Sequence, residues 1–449
     1  MASMQNGEPD QGKPPGSVAV AGEPTTAEAA ASVGTATSPE LLVHSLGEYT
    51  RLWLKRVRSG ESGALPVVIG LIALVIYFQV SQSSFLSATN IANLMGQAGW
   101  IITISMAQTF ILLLGEIDLS VGFNAAIGGT ITMWAVSIAH PWPTFAAIIV
   151  GMLVCAAIAT IEGLIIVWLR IPSFVVTLAG LLGLNGVLIW LFDASKSVSI
   201  GGTITNHNGF INNLVNGNLS PVAGWVILIV AVLLGGLFMI MRDLRRRRHN
   251  LVAPPVTVTL LKIGVMTVIG ALLVTVLNIN RAALGTLEGV PWVVPIVLGL
   301  LLLTTVLLMR TKYGRYVYAV GGNPEAARRS GINLKRVRVL AFTLAGLLAG
   351  ITGILYSSFL GSMSENFQGG QYVLYSVAGA VIGGVSLFGG RGRMLGAVLG
   401  GFVVAVIYNG VGLLGLGSAA QYIWTSLVLL AAVALDALAR RGSSTAQIR

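Results

Sequence analysis

Charge is what this chain has least of. Asp, Glu, Lys and Arg make up 10% of its 449 residues, against about 25% in an ordinary soluble domain. Too few charged groups are present to cover a globular surface of this size, so a soluble fold is excluded. Cysteine is nearly absent as well. With Cys155 alone, no intrachain disulfide forms and no thiolate metal cluster can be built. Histidine is sparse: His44, His140, His207 and His249 are scattered through tails and loops, and no H-E-x-x-H pair occurs. None of the six lysines closes a G-x-x-x-x-G-K-[ST] phosphate loop, so the chain should not hydrolyse ATP itself. No catalytic residue, metal or cofactor is expected within it.

What is present is apolar. Hydrophobic residues make up 55% of the chain and the mean hydropathy is +0.84. From residue 64 onward apolar runs recur, each approaching the roughly 20 residues a helix needs to cross a bilayer. A membrane β-barrel would show short alternating segments instead. Twelve candidate spans fall at 64–80, 94–114, 119–139, 144–169, 173–192, 222–241, 258–278, 292–309, 338–360, 372–390, 394–415 and 419–438. Two joints are very short: GEIDLSVG (115–122) after the second span, and GGRGR (389–393) after the tenth. Each is a tight turn or a break at depth, which makes the range ten to twelve. The expected fold class is an all-α polytopic membrane protein of about twelve transmembrane helices.

The formal charge is +11. Such an excess can mean nucleic acid, but in a membrane protein Lys and Arg gather in cytoplasmic loops. With the N-terminus cytoplasmic, the inner segments collect RLWLKRVR (51–58), Arg170, RDLRRRRH (242–249), 310–338, RGR (391–393) and ALARR (437–441). Of the 27 Lys and Arg residues, Lys196 and Arg281 alone fall outside. An even number of spans then leaves both termini cytoplasmic. Residues 1–40, rich in Pro, Gly, Ala, Ser and Thr, read as a disordered tail that lacks a signal-peptide core. The expected organisation is a tail at 1–50, a membrane domain at 51–441 containing a cytoplasmic loop at 310–338, and a short tail at 442–449.

Two loops stand out. The outer one, 193–221, is rich in Asn, Gly, Ser and Thr. It reads equally as a flexible solvated connector and as a docking surface for an external partner. Asn218-Leu219-Ser220 within it has the form of a glycosylation sequon, a tripeptide that also arises by chance. The inner one contains GGNPEAARRSG, the grammar of a short capped helix. Asn323 can cap the first amides, Pro324 suits the first helical position, and Glu325 favours the positive end of the helix dipole. Arg328 and Arg329 suit the other end, and Gly331 can stop the helix. Ala326 and Ala327 allow close approach of a partner, whose carboxylates the two arginines could meet. A solvated connector obeying the charge rule is the blander reading.

Four motifs together carry a resemblance: GEIDLSVG at 115–122, RIPSFVVTLAG at 170–180, GRYVYAVGGNPEAARRSGIN at 314–333 and AVIGGVSLFGGRG at 380–392. In this order, over about 64–440, they resemble the sugar-permease family of bacterial ABC importers, the branch of ribose, galactose and xylose permeases. IPSFVVTLAG and the additional pair of spans around RRRRH look most like the D-xylose type; ribose-type relatives lack that pair. The resemblance implies a type II importer permease in the bacterial cell membrane that works as a homodimer. It implies a cytoplasmic ATPase partner, holding ATP and magnesium, against which residues 323–331 act as a coupling helix. It also implies an extracellular sugar-binding protein that delivers the cargo. Surrounding lipid is the remaining partner, and nucleic acid is not one.

Against that background the acids of the first joint need a place, because an ionised side chain at bilayer depth costs at least a few kcal/mol. Glu116 and Asp118 can sit at the cytoplasmic interface, begin the third span as helix N-terminal carboxylates, or face the pathway and accept hydrogen bonds from sugar hydroxyls. Asp118, Ser120 and Gly122 read as a capped helix start leading into Asn124. An internal echo, GEIDLSVG against GGVSLFGG (383–390), pairs Asp118 with Ser386 and favours a helix break. Glu162, inside the fourth span, must face protein or water, either protonated or paired with a cation. Relatives often carry Asn before Gly at the position of Glu162-Gly163, so a hydrogen bond from that Asn does not transfer. The 56 glycines include small-xxx-small pairs, Gly346 with Gly350 and Gly396 with Gly400, which read as helix-packing surfaces. Trp100, Trp190 and Trp424 read as packing or interface anchors more than as sugar platforms. A proton-coupled carrier using Glu116, Asp118 or Glu162 as its relay is the rival from another class, and a non-transporting scaffold is a third. Deleting residues 1–40 should leave membrane insertion and sugar uptake at the wild-type level, measured by membrane yield and radiolabelled-sugar accumulation.

Overall fold

The computed structural model describes residues 65–196, 198–248, 254–417, 419–427 and 430. The N-terminal tail, RLWLKRVR, His44, His249, ALARR, the C-terminal tail and most of the twelfth expected span lie outside these residues. Within them, helices appear at each of the first eleven expected spans. They are α1 (Leu65–Ser81), α2 (Ala88–Leu112), α3 (Val121–Ala135), α4 (Thr144–Leu169) and α5 (Ser173–Ala194). After a strand β1 (Thr203–Thr205) and a short helix α6 (Gly209–Asn216) come α7 (Pro221–Arg248), α8 (Val256–Leu277) and α9 (Val293–Arg310). Two short helices, α10 (Lys312–Gly322) and α11 (Pro324–Arg329), lead into α12 (Leu334–Leu360). Strand β2 (Ser362–Ser364), α13 (Gly369–Ile382) and α14 (Met394–Leu413) follow. Seven of these helices are long and apolar enough to cross a membrane by length and composition.

Helix α2 is the axis of the bundle. From Gly96 to Leu112 every residue is buried, with α12, α13 and α14 packed around it. Its buried hydroxyls are satisfied by the helix itself. Thr103 donates to the Gly99 carbonyl at 2.7 Å, Ser105 to Ile101 at 2.8 Å and Thr109 to Ser105 at 2.8 Å, which removes the cost of an unpaired polar group. Where α2 begins, Asn90 and Asn409 of α14 exchange reciprocal amide hydrogen bonds of 2.9 Å each. Glycine sets the spacing between helices. A Cβ on Gly346 would lie 2.7 Å from that of Ala159, and one on Gly350 would lie 2.8 Å from the Cα of Met152, so α12 and α4 meet almost backbone to backbone. Gly396 and Gly400 press in the same way on the carbonyls of Gly383 and Gly379.

Helices α7 and α8 are an outlying pair. Their surfaces are largely exposed and apolar, and a small separate cluster of Val274, Leu277 and Val290 joins them to Ile91, Ala92 and Met95. Asp243 ties the two together near their basic end, pairing with Arg242 at 2.9 Å and accepting from Thr259 at 2.7 Å.

Two expectations change. The tenth span does not reach residue 390. Helix α13 stops at Ile382, and Gly384, Gly389 and Gly390 take φ of +84°, +82° and +70°, backbone that suits glycine and cannot continue a helix. Nor is the outer loop a loose connector. Strand β1 pairs antiparallel with β2, Thr203 opposite Ser364 and Thr205 opposite Ser362. Asn208 caps α6 by accepting from the Ile211 N–H at 3.1 Å. Ser358 of α12 holds the end of α6 through the Val215 N–H at 3.0 Å. At the possible sequon, Asn218 accepts from Arg281 at 2.9 Å while the Leu219 N–H bonds the Val290 carbonyl at 2.8 Å. Gly353→Val is the direct test of this packing: its Cβ would meet the Ala125 carbonyl oxygen at 1.8 Å. Overpacking of that kind costs about 1–3 kcal/mol or more. Gly299→Val, with nothing within 4 Å, should leave the thermal unfolding of the purified protein unchanged.

Candidate functional site

The basic end of the bundle holds Arg245–Arg248, Arg310, Arg328 and Arg329, and three interrupted segments meet there. Helix α2 ends at Leu112, and Gly115, with φ of +76°, turns the chain into the acidic joint. The second joint follows α13, and the third segment is the end of α10. The Gly390 N–H donates to the Leu113 carbonyl at 2.9 Å. A Cβ on Gly321 would lie 1.8 Å from that same carbonyl oxygen and 2.6 Å from the Gly390 nitrogen. The Tyr318 hydroxyl closes the group by donating to the Gly392 carbonyl at 2.9 Å. Bare backbone is the only thing that fits at such approach.

The internal echo is a shared turn. Asp118 accepts the Ser120 N–H on Oδ1 at 2.7 Å. Ser386 accepts the Phe388 N–H on its hydroxyl at 3.1 Å. Both are side-chain turns closing on the residue two ahead. Ser120 stands at the start of α3, but its hydroxyl makes no capping bond. It turns instead toward the acids, 2.6 Å from Asp118 Oδ1 and 2.8 Å from Glu162 Oε2. A hydroxyl has one hydrogen to give. One of the two contacts therefore needs a proton from the carboxyl side, so Asp118 and Glu162 hold a proton between them through Ser120. Burial of Asp118, at 1% exposure, pushes its carboxyl above the usual range against the pull of the Ser120 bonds. The neighbour of Glu162 is thus an acid held through a hydroxyl, and not the cation considered from sequence. Gly180 of α5 makes the room, since a Cβ there would stand 2.1 Å from Glu162 Oε1.

The other candidates are placed separately. Glu116 pairs with Arg338 of α12 at 2.7 Å; burial raises its carboxyl while the guanidinium draws it back. Asn124 donates to the Cys155 carbonyl at 3.1 Å and Cys155 Sγ returns a bond to the Asn124 carbonyl at 3.1 Å, a clamp between α3 and α4. Helix α11 uses the capping residues read from its sequence. Asn323 accepts from the Ala326 N–H at 3.0 Å and Pro324 opens the helix. Gly331, with φ of +80°, closes it: its N–H bonds the Arg328 carbonyl and the Ile332 N–H bonds the Ala327 carbonyl, the double bond of a Schellman stop. Glu325 pairs with Arg328 at 2.9 Å and Arg329 at 3.4 Å. Ala327 is 4% exposed and faces the bundle, so Ala326 alone of the two alanines lies on the open face. Sequence reasoning missed Arg338 as the partner of Glu116 and Ser120 as the bridge to Glu162. The glycine of TLAG at 177–180 was the one local sign of the latter.

A bundle of apolar helices, interrupted at buried glycine joints and carrying a rigid exposed helix at its basic end, defines a multi-pass membrane permease. Residues 90–435 match the family described as "Branched-chain amino acid transport system / permease component". The chain is 31% identical over 379 residues to the xylose transport system permease protein XylH of Escherichia coli (strain K12), covering 84% of this chain and 92% of that protein. To XylH of Haemophilus influenzae it is 33% identical over 392 residues, 84% of this chain and 97% of that one. To the ribose import permease protein RbsC of Escherichia coli (strain K12) it is 28% identical over 388 residues, 86% and 95% of the two chains. No solved structure matches. The chain belongs to this permease family, in its ABC sugar-permease branch, and is a multi-pass protein of the cell membrane.

The shared proton has a mutational signature. Glu162→Gln supplies its own N–H to the Ser120 oxygen and should keep thermal stability within about 1 kcal/mol of wild type. Ser120→Ala leaves two buried acids without their bridge and should lose about 1–3 kcal/mol in the same unfolding measurement.

Proposed function

We propose that this chain is the membrane-spanning subunit of an ATP-driven, binding-protein-dependent monosaccharide importer, with D-xylose as its cargo. The observation that carries the reading is α11: a helix closed at both ends, exposed on Asn323, Pro324, Glu325, Ala326, Arg328 and Arg329, and joined through α10 to the junction of two helix ends. A carrier that works alone has no use for such a projection. In this reading the basic end is cytoplasmic by the charge rule, as are both termini, and α11 is the coupling helix of a type II importer. Two copies of the chain form the pathway and alternate its access. A separate ATPase subunit binds ATP with magnesium and moves α11. A sugar-binding protein delivers cargo at the far end.

The cargo reading is supported by the xylose permeases to which the chain is similar over 84% of its length and by the outlying α7–α8 pair. Ribose or galactose is the alternative cargo, supported by the likeness to the ribose permease. A proton-coupled carrier is the rival supported by the proton held at Ser120. Collapse of the proton gradient with ATP maintained separates them: uptake continues in the importer and stops in the carrier.

Arg328→Glu with Arg329→Glu reverses the exposed charge of α11 without touching the bundle. Losing charge pairs at an interface costs about 2–5 kcal/mol, so sugar-stimulated ATP hydrolysis and recovery of the ATPase on the purified permease should both fall at least about tenfold. Normal stimulated hydrolysis in this variant refutes the coupling role.

A further inference from the structure

A cavity of about 260 Å³ opens at the end of the bundle opposite α11. Helix α12 spans the distance between them, 27 residues or about 40 Å. The walls include Tyr356, Phe367, Gln368, Gln371, Tyr372 and Tyr408. The aromatic rings form one surface: Tyr372 and Phe367 lie 4.7 Å apart between ring centres, Tyr356 and Phe367 5.0 Å, and Tyr356 and Tyr372 5.3 Å. The Tyr356 and Tyr372 hydroxyls are 3.0 Å apart. Behind them, fully buried Trp100 stands edge-on to Tyr356, Tyr372 and Tyr408 at 5.3, 4.9 and 6.0 Å, so the tyrosine rings are held from the rear. Trp100 does serve packing, and what it packs is the wall of a cavity.

The polar side of the cavity presents amide and hydroxyl groups. The Tyr422 hydroxyl lies 3.3 Å from Gln368 Oε1 and 3.2 Å from Gln371 Oε1. It has one hydrogen for two amide oxygens, so each oxygen keeps capacity to accept from a ligand hydroxyl. Gln371 is 7% exposed, and its amide nitrogen is already committed to the Tyr375 hydroxyl. No wall residue carries a formal charge. An amino acid entering here would leave an ammonium and a carboxylate without counter-charges in a partly desolvated site. A ligand with several hydroxyls and one apolar face fits instead: its hydroxyls exchange hydrogen bonds with the amides and tyrosine hydroxyls of the wall, and its C–H face lies on the tyrosine rings. Ligand cavities for larger organic molecules run from about 300 Å³ upward, so about 260 Å³ is room for a single sugar ring.

We propose that this cavity is a docking site for one neutral monosaccharide on its way into the membrane domain. Tyr356, Phe367 and Tyr372 form the stacking surface, and Gln368 and Gln371 accept from the sugar hydroxyls. The inference rests on the importer reading for its cargo and goes beyond it in naming the residues that touch that cargo.

The test is initial-rate uptake of radiolabelled D-xylose, D-ribose, D-galactose and L-leucine by cells carrying the complete transporter, with the amount of chain in the membrane measured alongside. Losing one or two hydrogen bonds to the sugar should cut kcat/KM for sugar uptake about tenfold in Gln368→Leu with Gln371→Leu. Gln371→Asn, which keeps the amide and is the milder change, should raise KM and alter the preference among the three sugars. If the double variant fails to reach the membrane, the KM and preference of Gln371→Asn decide the matter. Wild-type sugar uptake with an unmoved KM and preference in the variants overturns the site and leaves the importer standing. L-Leucine uptake by the wild-type chain, with none of the sugars, overturns the cargo and the site together.

Discussion

Every backbone N–H and C=O that leaves a helix inside a membrane protein must find another partner, because lipid offers none. This chain breaks its helices twice at the same end of the bundle. It meets the requirement by burying each break against the other. The Leu113 carbonyl, freed where α2 stops, takes the Gly390 N–H at 2.9 Å, and the end of α10 lies on the same pair at Gly321. The short lengths of α3 and α13, the cluster of positive-φ glycines and the position of α11 all follow from that mutual satisfaction. Two interrupted helices, each costly alone, become one core.

Several polar side chains inside the bundle meet the same requirement by different routes. Hydroxyls on α2 return to their own helix, and Asn90 and Asn409 satisfy each other. The acids have no such simple solution. Glu116 reaches Arg338, while Asp118 and Glu162 share a proton through Ser120. The arrangement accounts for an acid at residue 162: a glutamate reaches Ser120 across the gap left by Gly180, and it shares that hydroxyl with Asp118.

Much of this was legible in the sequence. Spans were marked by hydropathy, and the capping grammar around 323–331 named each residue that the structure uses to start and stop α11. The echo of GEIDLSVG in GGVSLFGG foretold two similar turns. What the sequence could not carry was contact across hundreds of residues. Glu116 and Arg338 are far apart in the chain, and nothing local to either points to the other. The length of the tenth span was overread because VSLF continues the apolar run; only the backbone angles of Gly384, Gly389 and Gly390 reveal the break. The tyrosine cavity stayed hidden because its aromatics come from four separate segments, each of which reads alone as packing.

The three-way junction also has a mechanical property. Where side chains separate two moving parts, rotamer changes absorb the first part of any displacement. Where the Leu113 carbonyl meets Gly321 and Gly390, backbone rests on backbone. Helix α11 follows α10 directly in the chain, and the end of α10 lies against the turns that follow α2 and α13. The joint is a close backbone contact, and one of the segments it fixes leads back through α13 to Gln371 and Tyr372 of the cavity wall at that helix's far end.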